Sequence, residues 1–332
     1  MDRHFPLWGL LCLAILIDTQ NAQASCGTAT CPLDLSRSFE EKLQFQFALE
    51  DIHQDQLRAG RNKVAFGQLN RPDHDELETQ NRNLLLPLDY QKTPRWSLSL
   101  TWPLVYRQHR HISVAGHIHD DGHEHGKLAV PQADDAVETW RFTRIADPVL
   151  SAHFTPRQGL ILSFGLSAPL GSTKTRNDAA TLAEPSLQPG TGAWGYLFEA
   201  GLSREFKRRE RPTRLFASAS LRLNSTGVRD YRFGTQLLAH AGGHYPLLGA
   251  FDLLGQFVAS WRDRDEAGST GEYTDSTGGT RLYLSPGLRY ALGPELALYG
   301  YYQFPFYEDL NGLQLTADRN LLVGIDYRFD LL

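Results

Sequence analysis

The chain has no apolar run of about 20 residues beyond its N-terminus, the length that a membrane-spanning helix requires. It also has little net charge, because 33 Lys and Arg stand against 38 Asp and Glu. Only three cysteines and one methionine occur among its 332 residues. The first absence excludes a helical membrane protein, and the weak charge excludes the basic footprint of a nucleic-acid-binding protein.

The N-terminus reads as a secretory signal. The apolar run Leu7–Ile17 follows Arg3 and precedes Ala22–Ala24, a small-x-small cleavage site. We therefore expect residues 1–24 to be a cleaved signal peptide. The alternatives are a transmembrane helix, for which the run is too short, and a lipid anchor at Cys26.

The cysteines fit export. Cys12 is removed with the signal peptide. Cys26 and Cys31 remain as one close pair in a short periplasmic N-terminal segment, residues 25–38. In an exported protein such a pair most often forms a small disulfide loop. A metal or redox site is the alternative, although the spacing is not Cys-x-x-Cys.

The rest of the chain repeats one pattern, in which every second residue is apolar. In Gln158–Thr173 and again in Gly190–Glu205, apolar residues alternate with small or polar ones. A side-chain period of two is the strand period, and a face of each kind suits a sheet between two media. About twelve such strands are predicted within residues 39–332.

Connection lengths separate a membrane barrel from a soluble sandwich. Long polar connections at His53–Asp75, Gln108–Ala136, Gly171–Pro189 and Asp263–Gly279 alternate with tight turns, although the short loop after the predicted seventh strand departs from the rule. A soluble barrel or sandwich has no reason to sort its loops in this way. We therefore predict an all-β fold, an antiparallel up-and-down transmembrane β-barrel of about 12 strands, in the bacterial outer membrane. Its expected partners are outer-membrane lipids and the barrel-assembly machinery.

The predicted barrel would be a passive channel or transporter for a small-molecule solute. An even number of strands places both termini in the periplasm. Charged residues opposite the apolar faces are candidate lumen-lining residues: Glu50, Glu199, Arg222, Arg289, Asp326 and Arg328. Twelve strands leave a bore for small solutes if nothing fills it.

Histidines are concentrated in the predicted external loop after the third strand. Neutral imidazoles bind Zn²⁺ or Cu²⁺, and residues i and i+2 of an extended chain point the same way. No cofactor is required for a channel, but metal binding by this loop gives the alternative function, a non-transporting barrel that captures transition-metal ions. The alternative interpretation is a solvated polar loop that binds no physiological metal. In addition, the first two histidines, His109 and His111, could belong to the end of the third strand. The six candidate ligands are His109, His111, His117, His119, His123 and His125.

An enzyme is not expected. An outer-membrane hydrolase would need a serine, a histidine and an orienting polar group together. His153, His240 and His244 lie near predicted strand ends, but the sequence singles out no nucleophile among the many serines.

Several segments resemble proteobacterial outer-membrane proteins of the meta-pathway phenol-degradation family. The resemblance covers nearly the whole mature chain and implies an outer-membrane barrel labelled a transporter, without naming a solute. The C-terminus departs from the usual barrel ending, since Phe329 is followed by three further residues. The segments are Asp55–Gly60, Glu76–Arg82, Arg107–His111, Ser167–Gly171 with Leu187–Gly192, and Asn311–Asp318 with Val323–Phe329.

Overall fold

The computed structural model describes residues 42–65, 75–113, 136–206, 211–270 and 274–330. These residues form one antiparallel sheet that closes on itself, because the last strand pairs with the first. The other regular elements are three single turns of 3₁₀ helix at Pro185–Leu187, Val228–Asp230 and Thr274–Ser276. The strands are β1 (Lys42–Ala59), β2 (Asn62–Lys63), β3 (Asp75–Thr93), β4 (Trp96–Ser113), β5 (Ala136–Ile145), β6 (Val149–Arg157), β7 (Leu160–Ser167), β8 (Gly195–Phe206), β9 (Thr213–Asn224), β10 (Gln236–Pro246), β11 (Phe251–Arg262), β12 (Gly279–Ala291), β13 (Leu296–Leu310) and β14 (Leu313–Asp330).

No helix within the described ranges is long and apolar enough to cross a membrane.

The closed barrel has twelve strands, which confirms the predicted number. Two elements share one position in the wall, since β4 pairs with β5 along Leu104–Ser113 and with β6 along Trp96–Thr101. Residues 146–148 interrupt what would otherwise be a single strand. The two-residue β2 pairs with the outer end of β1 and adds no further strand to the wall.

The wall has an apolar outer face and a largely polar inner face. On β11, Phe251, Leu253, Phe257 and Trp261 are exposed, whereas the intervening Asp252, Gln256 and Ser260 are buried. The same alternation holds on β1, β7 and β14, as the period of two predicts. A closed barrel leaves no backbone edge unpaired in lipid, and an outward apolar belt matches the bilayer core. The protein is therefore an outer-membrane β-barrel.

Loop lengths differ between the two ends of the barrel. The connections after β3, β6, β8, β10 and β12 span two to six residues, whereas most connections at the other end are longer. Short turns mark the periplasmic end of such barrels. One outer connection is shorter than the sequence indicated, because β13 and β14 run on to a turn at Asn311 and Gly312.

The prediction of a strand through Gln158–Thr173 is wrong beyond Ser167. Pro169 has no N–H to give to a ladder, and Leu170 is exposed on a chain that has already left the wall. The partner strand likewise begins at Gly195 rather than at Gly190. Residues 168–193, named here the inward segment, turn toward the barrel interior.

Candidate functional site

The barrel interior is the candidate site, because its lining combines many buried polar side chains on facing strands. Cross-strand hydrogen bonds join them: Asn83 Nδ2 donates to Glu50 Oε2 at 2.6 Å, and Gln44 Nε2 donates to Asp326 Oδ1 at 2.8 Å. Asn320 Nδ2 donates to Gln303 Oε1 at 2.8 Å across the adjoining strands β13 and β14. Such networks hold a buried polar surface in one arrangement.

The lining is not polar throughout. Leu238, Val258 and Tyr283 form a buried apolar cluster on neighbouring strands β10, β11 and β12. Their alternation with exposed residues places them on the inner face. A solute in the interior would therefore meet one apolar stretch of wall among polar ones.

The inward segment packs against the inner face of the outer half of the barrel. Its Ala183 and Leu187 are buried with Trp140 and Phe142 of β5. Trp140 Nε1 donates to the carbonyl oxygen of Thr181 at 3.2 Å. Because Trp140 and Phe142 alternate with exposed residues on β5, the segment lies inside the wall and narrows the outer mouth.

A buried arginine ties this segment to the wall. Arg107 of β4 donates from Nε to Asn81 Oδ1 at 2.6 Å and from Nη1 to the carbonyl oxygen of Ser186 at 3.1 Å. Its side chain is fully buried. A guanidinium with five fixed donors suits such a junction between a strand and an irregular segment.

The two ends of the inward segment are held by one carboxylate, that of Asp147. Asp147 Oδ1 accepts from the backbone N–H of Gly171 at 2.7 Å, and Oδ2 accepts from the N–H of Thr191 at 2.7 Å and from its hydroxyl at 2.6 Å. Asp147 lies in the interruption between β5 and β6 and is almost fully buried. Here this arrangement is named the Asp147 clasp.

Glycines allow the clasp to close. A Cβ on Gly190 would lie 2.4 Å from the carbonyl carbon of Gly171, and one on Gly171 would lie 2.9 Å from Asp147 Oδ1. The two backbones approach too closely for any side chain between them. The stretch around Gly190 is thus a packing contact against Gly171.

Charged residues gather at the periplasmic mouth. The carboxylate of Asp252, which is 1% exposed, contacts Arg211 at 2.8 Å, Arg289 at 3.1 Å and His244 at 2.9 Å. Arg214 pairs with Glu205, and Arg328 Nη2 lies 3.3 Å from Asp326 Oδ2. Of these groups, Glu205, Arg214, His244, Arg289, Asp326 and Arg328 line a cavity of about 170 Å³.

The predicted lumen-lining residues fall into two groups. Glu50, Glu199, Arg222 and Asp326 are buried on the inner face, and Arg222 Nε donates to Asn224 Oδ1 at 3.2 Å. Arg289 and Arg328 are partly exposed at the periplasmic mouth. Contact of these six side chains with a solute stays a prediction.

The predicted histidine loop is divided by the structure. His109 and His111 do not belong to a loop; both lie on β4 with buried side chains. His109 Nδ1 is 2.8 Å from Thr79 Oγ1, and His111 Nε2 is 3.2 Å from Glu138 Oε2. Residues 114–135 lie outside the described residues, and with them the four distal histidines His117, His119, His123 and His125. So do Cys26 and Cys31.

One other group of metal-ligand types occurs on the described part of the chain. His53 Nδ1 lies 3.7 Å from Asp55 Oδ2 and 3.6 Å from Asp318 Oδ1, and its Nε2 is 3.1 Å from Glu78 Oε1. The two aspartates are exposed on the outer wall. Exposed acidic groups beside one imidazole do not by themselves make a metal site.

A serine and a histidine do meet in the interior. His153 Nδ1 is 2.7 Å from Ser163 Oγ across β6 and β7, and both side chains are buried. The hydrolase alternative required such a pair at a rim, where a lipid-borne substrate could reach it. The pair instead belongs to the polar lining, and the absence of an enzymatic activity stays a prediction.

The contacts of Asp147, Arg107 and Trp140 with the inward segment were not predicted from the sequence. The signal for Asp147 was present, since an Asp-Pro pair interrupts an alternating strand and predicts a bulge. The partners of Asp147 lie 24 and 44 residues away, so its role as a clasp needed the folded chain.

Comparison with known proteins identifies a fold but no family. No protein-family model matches the chain, and no curated protein has a similar sequence. Among solved structures, the COG4313 outer membrane channel from Pseudomonas putida F1 is 14% identical with a TM-score of 0.62, covering 90% of this chain and 100% of that one. The Ralstonia pickettii toluene transporter TbuX is 9% identical over 88% of this chain and 90% of that one, with a TM-score of 0.43 that is too low to carry an argument. The chain thus shares the fold of an outer-membrane channel barrel.

Proposed function

We propose that this protein is a passive outer-membrane channel for small solutes. The observation that supports it is the inner face of the closed twelve-strand barrel, which carries polar side chains from end to end. A barrel that served only as a membrane anchor would need no such lining, since an interior packed with apolar side chains is stabler than one that buries many polar groups.

The inward segment sets the size of the solute. Its packing on Trp140 and Phe142 occupies part of the outer mouth, so a large molecule would have to displace buried contacts. Twelve strands by themselves leave a bore that suits small molecules. The mixed lining, with the apolar cluster on β10–β12 beside polar neighbours, suits solutes that have both kinds of surface.

Two finer predictions remain proposals. Membership of the meta-pathway phenol-degradation family rests on short sequence segments alone and names no solute for this chain. Binding of Zn²⁺ or Cu²⁺ would rest on the four distal histidines, since His109 and His111 already contact Thr79 and Glu138.

Liposome swelling tests the channel directly. The mature chain, residues 25–332, is refolded into liposomes and challenged with a size series of neutral sugars. We expect the smallest sugars to enter and the larger ones to be excluded. Correct folding is checked by heat-modifiable migration on a gel. A correctly folded barrel that admits none of these sugars would contradict the proposal.

A further inference from the structure

The ion pairs described around the cavity contain one more positive than negative charge, since four arginines (Arg211, Arg214, Arg289 and Arg328) accompany three carboxylates (Glu205, Asp252 and Asp326). Asp252 is a single carboxylate, yet two guanidinium groups, those of Arg211 and Arg289, lie within 3.1 Å of it. His244 contacts the same carboxylate. One negative charge does not neutralise two positive ones, and of these two guanidinium groups that of Arg289 lines the cavity. Low-dielectric walls focus the positive potential there.

The neighbouring ion pairs do not remove this excess. Arg214 pairs with Glu205, and Arg328 Nη2 lies 3.3 Å from Asp326 Oδ2, so these pairs add equal numbers of positive and negative charges. Asp326 also accepts a hydrogen bond from Gln44, which leaves its charge shared among several donors. The cavity is therefore suited to an anion.

Two tyrosines give the same cavity a flat apolar wall. A Cβ on Gly324 would lie 2.4 Å from the ring of Tyr299, and one on Gly287 would lie 2.7 Å from the ring of Tyr301. Each ring thus lies across a glycine of the neighbouring strand rather than projecting into the bore. Tyr301 is buried and Tyr299 is partly exposed, so the ring of Tyr299 offers the face on which a planar group can stack.

We propose that this cavity binds a small organic carboxylate with a flat apolar body. The carboxylate contacts Arg289 and Arg328, because guanidinium groups bind carboxylates with directed, charge-assisted hydrogen bonds. The apolar body lies on the ring of Tyr299. The volume of about 170 Å³ accommodates a molecule with a single ring. This inference rests on the proposed function, since it names the class of solute that the channel takes.

Calorimetry on the refolded mature barrel in detergent tests the site apart from conduction. Benzoate supplies both features, acetate supplies only the charge, and benzylammonium supplies the ring with the opposite charge. We expect benzoate to bind, acetate to bind more weakly, and benzylammonium not to bind. Benzoate binding no tighter than acetate would overturn the role of Tyr299, and equal binding of benzylammonium would overturn the anion site.

Substitutions locate the site. Loss of one charge-assisted hydrogen bond in Arg289→Gln or, separately, Arg328→Gln should weaken benzoate binding about tenfold or more. Tyr299→Phe should retain the affinity that Tyr299→Ala loses. The matched control is Arg281→Gln, a buried inner-face arginine on the same strand as Arg289 but at its outer end.

The outcomes separate the two proposals. Heat-modifiability selects the variants that fold, and testing the two arginines separately keeps the comparison if one variant misfolds. A barrel that admits sugars but binds no benzoate would overturn the anion site and leave the channel standing. A barrel that binds benzoate more tightly than acetate but admits no sugar would overturn the channel and leave the anion site standing.

Discussion

The Asp147 clasp should control how firmly the inward segment is closed, and Asp147→Asn tests it. The carboxylate accepts three hydrogen bonds, one at Oδ1 and two at Oδ2. An amide has one acceptor oxygen and directs its NH₂ group at the remaining donors. The substitution therefore removes at least one charge-assisted bond and sets donor against donor.

The size of the effect follows from these contacts. A hydrogen bond to a charged group contributes about 1.5–3 kcal/mol, so the variant should weaken the closed arrangement by about 3 kcal/mol. Since about 1.4 kcal/mol corresponds to a factor of ten, the population of the released segment should rise about 100-fold. The barrel wall itself should remain folded, because its ladders do not involve Asp147 side-chain atoms.

Limited trypsin digestion measures the release. Lys174 and Arg176 lie on the inward segment, and cleavage there requires local opening of the chain. We expect faster cleavage at these two sites in the variant. The control is Asp178→Asn, an exposed acid on the same segment. Cleavage at the wild-type rate in Asp147→Asn would refute the role of the clasp.

Three further predictions concern packing, membrane orientation and metal binding. Gly190→Ala forces a Cβ against the backbone of Gly171 and should loosen the segment by about 1–3 kcal/mol, seen as faster trypsin cleavage; an unchanged rate would argue against the close contact. Phe257→Arg on the outward face should cost about 2–4 kcal/mol in urea-dependent folding into vesicles, whereas Gln256→Arg, its inward neighbour, should cost less; equal costs would contradict the assigned faces. Replacing the four distal histidines by alanine should abolish most Zn²⁺ binding in equilibrium dialysis at pH 7.5, and retention would move the metal to another site.

Much of the wall could be predicted from the sequence because the strand period is a local property. The residues of β11 show why, since the outward Phe251, Leu253, Phe257 and Trp261 all fall on alternate positions of the strand, a pattern visible from neighbouring residues alone. The number of strands followed from counting such runs. Loop lengths then indicated which end of the barrel faces the periplasm.

The strand ends were harder to predict where the wall rises above the lipid. At Gln108–Ser113 of β4, polar residues occupy both faces, so no alternation marked the strand. Pairing with Ala136–Ile145 of β5 maintains it there. Two histidines assigned to a loop therefore proved to be strand residues.

The position of the inward segment could not be predicted from local sequence patterns. Its ends leave strands with an apparently continuous pattern, and its contacts are made with Asp147, Arg107 and Trp140 from other parts of the chain. Nothing in its composition distinguishes a segment that packs inside a barrel from a solvated loop. Only the closed wall brings the partners together.

Planar-bilayer recording of the refolded mature chain tests the central claim most directly. The barrel with a polar inner face should give discrete conductance steps on insertion, with longer or more frequent openings in Asp147→Asn. Insertion of a correctly folded barrel that gives no steps in either form would contradict the channel.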